Sequence, residues 1–168
     1  MKNTLRLVLF DECDRNCKYC VNKQHDTKNL PICTDFSGYD EIILTGGEPM
    51  LNPDLIIDTV ESITEQGLRP DFILYTGKID DLQAMEKIFY VLDGLTVSLH
   101  KQKDVFTFMT FNNHFDITLY KELGFKFRLN IMKSVVIPRI LTKGWDVKSI
   151  IPLTDCPVPE HETLMRLS

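Results

Sequence analysis

The sequence predicts an α/β fold built on a parallel sheet. Short apolar runs of strand length alternate along the chain with segments whose apolar residues recur at helical spacing. Such alternation is typical of parallel strands joined by right-handed helical crossovers. Six strands are predicted, at residues 5–10, 41–45, 72–75, 95–99, 125–132 and 147–153. Six strands are compatible with an open doubly wound sheet or with a partial barrel, and periodicity does not decide between them.

The predicted helices and the end of the chain complete this outline. The first helix is expected to begin at Asn52 and Pro53, because Asn is a favoured N-cap and Pro is favoured at the first helical position. Further helices are expected at about residues 80–92 and at about residues 116–123. Residues 157–168 are predicted to form a tail that packs over one end of the fold.

Composition limits the class of protein. Residues 1–168 are expected to form one domain, because this length is usual for a single domain and is enough to bury a core. The formal net charge of -5 gives no basic surface for nucleic acid and disfavours an anionic membrane surface. The sequence has no apolar run of about 18 residues and no signal-peptide pattern at its start. The protein is therefore predicted to be cytoplasmic.

Three of the five cysteines, Cys13, Cys17 and Cys20, lie within the segment C-D-R-N-C-K-Y-C. An odd and crowded set of cysteines indicates metal binding in a reducing compartment rather than a disulfide framework. Three thiolates in one loop can hold an iron–sulfur cluster. A fully ligated [4Fe-4S] cluster takes four thiolates, so a site with three cysteines leaves one iron open to a substrate or cofactor.

Two other interpretations of these cysteines compete with the cluster. A structural zinc site needs a fourth ligand, and the candidates are Cys33, His25 and Cys156. Zinc modules usually supply their ligands in two close pairs, and the sequence has no second pair. A thioredoxin-like redox pair at Cys17 and Cys20 leaves Cys13 unexplained. A zinc-stabilised binding module without enzymatic activity stays open as an alternative.

A second motif, Thr45-Gly46-Gly47-Glu48-Pro49, follows the second predicted strand. Ligands of parallel α/β folds bind at the carboxyl ends of the strands. Glycines allow the backbone to approach a ligand closely, and Glu48 can accept charge-assisted hydrogen bonds from an ammonium group. The alternative is an ordinary strand-to-helix loop with a solvated Glu48.

The two motifs together resemble the radical S-adenosyl-L-methionine (SAM) enzymes. The resemblance consists of Cys-x3-Cys-x2-Cys, the aromatic Tyr19 before the last cysteine, and Gly-Gly-Glu-Pro after the next strand. It implies a partial (β/α)6 barrel with parallel strands, similar to a TIM barrel. It also implies that Cys13, Cys17 and Cys20 ligate a [4Fe-4S] cluster, and that the amine and carboxylate of SAM chelate the fourth iron.

The resemblance further implies contacts to SAM, while no catalytic residue is assigned. Arg128 is a candidate for the SAM carboxylate or for substrate, with a salt-bridged surface residue as the alternative. His100 is expected to be a hydrogen-bonded residue at a strand end rather than a proton shuttle. Cys33 and Cys156 are interpreted as structural. The predicted cofactor contacts are Tyr19, Gly46, Gly47, Glu48, Ser98, Arg128 and Asn130.

The implied reaction is reductive cleavage of SAM. An electron from the reduced cluster breaks the sulfonium C–S bond, and the resulting 5′-deoxyadenosyl radical abstracts hydrogen from an unidentified substrate. An electron donor of the flavodoxin or ferredoxin type is expected, and a partner chain or large substrate is expected to cover the open barrel. The alternative is an activase for a glycyl radical enzyme, because residues 74–77, Leu-Tyr-Thr-Gly, resemble those of anaerobic ribonucleotide reductase activases.

Overall fold

The computed structural model describes residues 2–17, 20, 23, 25–150 and 158–168. Its strands are β1 (Thr4–Val8), β2 (Glu41–Thr45), β3 (Asp71–Thr76), β4 (Gly94–Leu99), β5 (Lys126–Met132), β6 (Asp146–Ile150) and β7 (Glu162–Arg166). They form one seven-stranded sheet in the order β6-β5-β4-β3-β2-β1-β7, in which every neighbouring pair is parallel. The predicted α/β class is confirmed.

α-Helices connect β2 to β3, β3 to β4 and β4 to β5. They are α1 (Pro53–Glu65), α2 (Leu82–Phe89), α3 (Asp104–His114) and α4 (Ile117–Glu122), with 3-10 turns at Thr27–Asn29, Pro49–Leu51 and Arg139–Thr142. Helix α1 begins as predicted, because the Asn52 side chain accepts the N–H of Leu55 at 3.2 Å and Pro53 is the first helical residue. Helix α3 was not predicted. Its sequence is rich in aromatic and β-branched residues that favour strands, and the burial of Phe108 and Phe111 overrides that preference.

Side chains on one face of the sheet meet across intervening strands. Arg128 of β5 pairs with Glu41 of β2 at 3.1 Å, although β3 and β4 lie between them. Neighbouring strands are about 4.8 Å apart, so a flat sheet would hold β2 and β5 about 14 Å apart. Asn130 of β5 likewise donates to the Tyr75 hydroxyl of β3 at 2.8 Å. This face is therefore concave, and the architecture is compatible with the expected partial barrel.

The concave face is polar and encloses space. A cavity of about 210 Å³, the inner cavity, is lined from β1, β2, β3, β4, β5, β6 and β7. Its charged side chains are the cations Arg6, Arg128 and Lys148 and the anions Asp146 and Glu162. Arg6 and Glu162 form an ion pair at 2.6 Å. A ligand in this space would therefore meet charges of both signs.

The convex face carries the hydrophobic core. Alternate strand residues such as Leu5, Leu7 and Leu44 point to this side and are fully buried against the helices. An aromatic cluster adds to the core near α2 and α3, where the rings of Phe89 and Phe111 lie 6.1 Å apart edge to face. In the part of the chain that the structure describes, no helix combines the length and apolar character needed to cross a bilayer.

Ion pairs close the amino end of the concave face. The Asp71 carboxylate at the start of β3 accepts from Lys126 at 2.6 Å and also from Lys2. Beside it, Glu41 is 6% exposed and holds Arg128 through two hydrogen bonds. Buried charges are stable only when paired. Paired charges therefore occupy the amino end of the concave face.

The prediction of a tail over residues 157–168 is wrong for residues 162–166. This segment forms β7, which pairs with β1 along its whole length. The Arg166 carbonyl also accepts the N–H of Cys33, and the Arg166 N–H donates to the Pro31 carbonyl, each at 2.9 Å. An edge strand of this kind is set by distant backbone hydrogen bonds and is only half-buried. Its own sequence, ETLMR, carries little of the apolar signal used to predict strands.

The core location of α3 leads to a stability prediction. Phe108→Ala should lower the free energy of unfolding by about 3–5 kcal/mol, because Phe108 is 0% exposed and its removal leaves a cavity. Phe106→Ala on the same helix should change it by less than about 0.5 kcal/mol, because Phe106 is 72% exposed. Urea denaturation of the two variants and the parent protein measures both effects. Equal losses would show that α3 does not pack as described.

Candidate metal centre

The predicted site residues converge at the carboxyl end of the sheet. The cysteine loop follows β1, Gly46 and Gly47 follow β2, Gly77 follows β3, and His100 follows β4. Because parallel strands end at one edge, these segments become neighbours. They line a cavity of about 110 Å³, called here the cysteine cavity, whose walls include Cys13, Cys17, Cys20, Gly46, Gly47, Glu48, Ser98 and His100.

The three thiols face this cavity together. The backbone N–H of Arg15 lies 3.3 Å from the Cys13 sulfur. Packing around the sulfur raises the pKa of Cys13, and the nearby Glu48 carboxylate and the other two thiols raise it further. Burial likewise raises the pKa of Cys17, against the lowering effect of Arg15. Thiolates gathered here therefore require a cationic partner, as metal-bound thiolates do.

The donor set fits an iron–sulfur cluster. Among the residues that the structure describes, no three His, Cys, Asp or Glu side chains lie close enough to hold a single metal ion. In a [4Fe-4S] cluster, each cysteine binds a different iron, so the ligands surround a cube instead of meeting at one atom. Cys13, Cys17 and Cys20 line one cavity, which is compatible with that requirement, and Cys33, 5% exposed, does not line this cavity.

Glu48 is a buried carboxylate that joins two strand ends. It is 3% exposed, so the alternative of a solvated Glu48 is wrong. Its Oε1 accepts from the Thr76 hydroxyl and from the Met50 N–H at 3.2 Å, and its Oε2 accepts from the Gly77 N–H at 3.1 Å. Burial raises the pKa of Glu48, and these hydrogen bonds oppose the rise. A carboxylate offers about four acceptor positions, so Oε2 retains one for a ligand.

The two glycines before Glu48 are required by a close approach of backbone. A Cβ on Gly47 would lie 1.7 Å from the Glu12 carbonyl oxygen, and one on Gly46, whose φ is +105°, would lie 2.7 Å from the Phe10 carbonyl oxygen. The N–H of Glu48 donates to the same Glu12 carbonyl at 2.8 Å. The chain that leads into the cysteine loop therefore rests directly on this turn. This contact, and not ligand approach alone, explains why both positions are glycine.

Comparison with known proteins identifies the family. Residues 4–105, more than half of the chain, match the profile of the family described as a 4Fe-4S single cluster domain. The chain belongs to this family. Such domains are typical of radical SAM enzymes, and the resemblance in the cysteine and Gly-Gly-Glu-Pro motifs is thereby confirmed.

The radical SAM domain is similar to several curated proteins. It is 30% identical over 119 residues to GTP 3′,8-cyclase 1 of Mycobacterium tuberculosis, a match that covers 56% of this chain and 33% of that protein. It is 29% identical over 175 residues to GTP 3′,8-cyclase of Aquifex aeolicus, a match that covers 89% of this chain and 51% of that protein. The chain thus spans about a third to a half of the length of these relatives.

The remaining predicted contacts of the radical SAM domain fall in two places. Ser98 lines the cysteine cavity, while Arg128 and Asn130 line the adjoining inner cavity. Asn130 links the two spaces, because it donates to Ser98 at 3.3 Å and to the Tyr75 hydroxyl. Arg128 is occupied by Glu41. Their roles in cofactor binding stay predictions, and Tyr19 and Cys156 lie outside the described residues.

The structure adds lining residues that the sequence interpretation missed. Arg6 and Tyr75 line both cavities of the radical SAM domain, and the Arg6 guanidinium lies 5.8 Å from the centre of the Tyr75 ring. Arg6 is a charged residue flanked by the buried Leu5 and Leu7, so strand alternation could have placed it on the concave face.

His100 is half-buried, and burial together with the Arg15 charge lowers its pKa. It is therefore neutral at neutral pH.

The tight turn gives a testable pair of glycine substitutions. Gly47→Ala should abolish assembly of the site in the radical SAM domain, because the added methyl group would overlap the Glu12 carbonyl. Gly38→Ala should be tolerated, because a Cβ added at position 38 would have no atom within 4 Å. Iron bound per chain after anaerobic reconstitution is the measurement. Normal iron content in Gly47→Ala would contradict the described contact.

The raised pKa values of Cys13 and Cys17 predict the pH dependence of their alkylation. In the metal-free protein, a raised pKa leaves less thiolate at a given pH, and the thiolate is the reactive form. Both residues should therefore react with iodoacetamide more slowly than a free thiol at pH 8, and the midpoint of their rate profile should lie above the ordinary thiol value. Residue-resolved mass spectrometry measures the rates. Faster reaction than the free thiol would contradict the described environment.

Proposed function

We propose that the protein is a radical SAM enzyme that binds SAM at a [4Fe-4S] cluster held by Cys13, Cys17 and Cys20. The observation that carries the proposal is the convergence of these cysteines with Glu48 on one cavity at the carboxyl end of the sheet. When bound, the cluster supplies the electron that cleaves the sulfonium C–S bond of SAM, and the 5′-deoxyadenosyl radical so formed takes hydrogen from the substrate.

The protein's own residues bind and orient SAM in this proposal. Glu48 accepts a hydrogen bond from the methionine amine through the free position on Oε2, and its buried negative charge favours an ammonium group there. Ser98 and Asn130, held together by their hydrogen bond, offer polar groups to the ribose. The fixed geometry of these side chains supports orientation of the reacting bond, because each is already held by the protein.

The inner cavity is the proposed substrate site, and a small polar molecule is the proposed class of substrate. Support comes from its position beside the cysteine cavity, with Arg6 and Tyr75 shared by both, and from its charges of both signs. The similar proteins are named as GTP 3′,8-cyclases, which act on a nucleotide by that name. Their similarity favours a nucleotide or another small metabolite over a glycyl radical protein. An activase for a glycyl radical enzyme is therefore the second candidate function.

Two partners belong to this proposal. An electron donor of the flavodoxin or ferredoxin type would reduce the cluster. A partner chain would shield the inner cavity, to which strands from both edges of the sheet contribute Lys148 of β6 and Glu162 of β7. Shielding from water is needed to protect a reactive intermediate.

Formation of 5′-deoxyadenosine tests the proposed function. The protein is purified without oxygen, reconstituted with iron and sulfide, reduced with dithionite and mixed with SAM. The parent protein should be brown and should release 5′-deoxyadenosine. Cys17→Ala should lose iron and product because one cluster ligand is gone, whereas Cys33→Ala should retain both because Cys33 lies in the core, outside the cysteine cavity.

The alternatives predict different results in the same experiment. A colourless protein that carries one zinc ion would contradict the proposal and support the zinc-stabilised binding module. Equal loss of product in Cys17→Ala and Cys33→Ala would show that the cysteine cavity is not the cluster site. A brown protein that binds SAM without cleaving it, also when reduced flavodoxin replaces dithionite, would contradict the proposed reaction while leaving the cluster assignment in place.

A further inference from the structure

Arg15 lies between two of the proposed cluster ligands in sequence, and Asp104 and Gly77 hold its side chain. It follows Cys13 by two residues and precedes Cys17 by two residues. Its guanidinium donates to Asp104 at 2.8 Å and to the Gly77 carbonyl, and its side chain lines the cysteine cavity together with Cys17. Its side chain is 21% exposed. Fixing such a long side chain in one conformation costs conformational entropy, and specific contacts have to offset that cost.

Asp104 is the anchor of this arrangement. It is 7% exposed and is the first residue of α3. One carboxylate oxygen, Oδ2, accepts from Arg15, from the His100 N–H at 2.9 Å and from the Lys101 N–H at 3.0 Å. The two backbone donors fix the carboxylate relative to the end of β4. The carboxylate in turn fixes the guanidinium beside the cysteine loop.

Gly77 provides the space for Arg15. A Cβ at this position would lie 2.9 Å from the Arg15 Nε. The Gly77 carbonyl accepts from Arg15, while its N–H donates to Glu48 Oε2 at 3.1 Å. One residue of the turn after β3 therefore contacts both the cysteine loop and the buried carboxylate of the second motif. These contacts give Gly77 a role in the turn Thr76-Gly77-Lys78.

We propose that Arg15 is a fixed cation beside Cys17 that raises the reduction potential of the cluster. The inference rests on the proposed ligation of the cluster by Cys17. Reduction adds one negative charge, so a fixed cation beside a ligand sulfur stabilises the reduced state more than the oxidised state. Arginine remains charged throughout the accessible pH range. Its partial burial limits the screening that weakens exposed charges.

Replacement of the charge at position 15 tests this role. Arg15→Gln removes the charge, Arg15→Lys keeps it, and Lys78→Gln is the matched control. Lys78 is a second cation that pairs with the cysteine loop, through Asp14 at 3.3 Å. This contact is longer than the one between Arg15 and Asp104, and the Asp14 side chain is 46% exposed. Iron content, the cluster potential by anaerobic spectroelectrochemistry, and the melting temperature of the metal-free protein are measured for each variant.

We expect a shift of the cluster potential without a comparable fall in the melting temperature of the metal-free protein. Arg15→Gln should disfavour one-electron reduction by roughly tenfold, which corresponds to about 59 mV toward lower potential. Arg15→Lys should retain most of the parent potential, and Lys78→Gln should shift it by less than a third as much. A parent-like potential in Arg15→Gln, or equal shifts in Arg15→Gln and Arg15→Lys, overturns the inference.

A second variant keeps the test decisive if Arg15→Gln fails to hold a cluster. Asp104→Asn removes the counter-charge of Arg15 and keeps an amide oxygen that can accept its hydrogen bond, so the potential should move upward, opposite to Arg15→Gln. An unchanged or lowered potential in Asp104→Asn overturns the inference. Cys17→Ala separates the two proposals. Full iron retention in that variant refutes ligation by Cys17, whereas iron loss there with a parent-like potential in Arg15→Gln refutes the role of Arg15 alone.

Discussion

The hydrogen bond between the Glu48 N–H and the Glu12 carbonyl, 2.8 Å long, holds together the two segments of the candidate metal centre. It brings the backbone that enters the cysteine loop against the turn after β2, at a separation that only glycine at position 47 allows. A loop that carries cluster ligands needs such a fixed support, because ligand geometry has to be held before the metal arrives. The same turn then sends the Glu48 side chain toward β3, so one short segment locates both the cysteines and the buried carboxylate.

The two faces of the sheet have different roles: the convex face packs the hydrophobic core, and the concave face carries the polar residues. Alternating strand residues bury leucine, isoleucine and phenylalanine on the convex side, where α1, α2 and α3 pack. The concave side carries charged and hydrogen-bonding residues that are satisfied by one another, such as Arg128 with Glu41 and Arg6 with Glu162. Buried polar groups paired in this way cost less than unpaired ones. A polar barrel interior can therefore persist without a ligand and still offer hydrogen bonds to one.

Much of the fold and of the candidate site could be predicted from local sequence. The cysteine spacing, the Gly-Gly-Glu-Pro segment and the Asn52 cap each act within a few residues. The structure confirms the Asn52 cap and brings the two motifs to one cavity. Features that depend on distant partners could not be predicted. Strand β7 exists because of backbone pairing with β1, and the pairing of Arg128 with Glu41 joins residues 87 positions apart in sequence. The role of Gly77 required knowledge of the Arg15 side chain.

The position of β7 has a consequence for how the protein matures. This strand lies beside β1, and its Arg166 bonds the segment that follows the cysteine loop through Pro31 and Cys33. Residues 9–161 are synthesised between β1 and β7, and chains fold largely from the amino end as they emerge from the ribosome. The cysteine loop therefore emerges well before the strand that secures the segment after it. A cluster site of the proposed kind would be fully supported only after β7 has been translated.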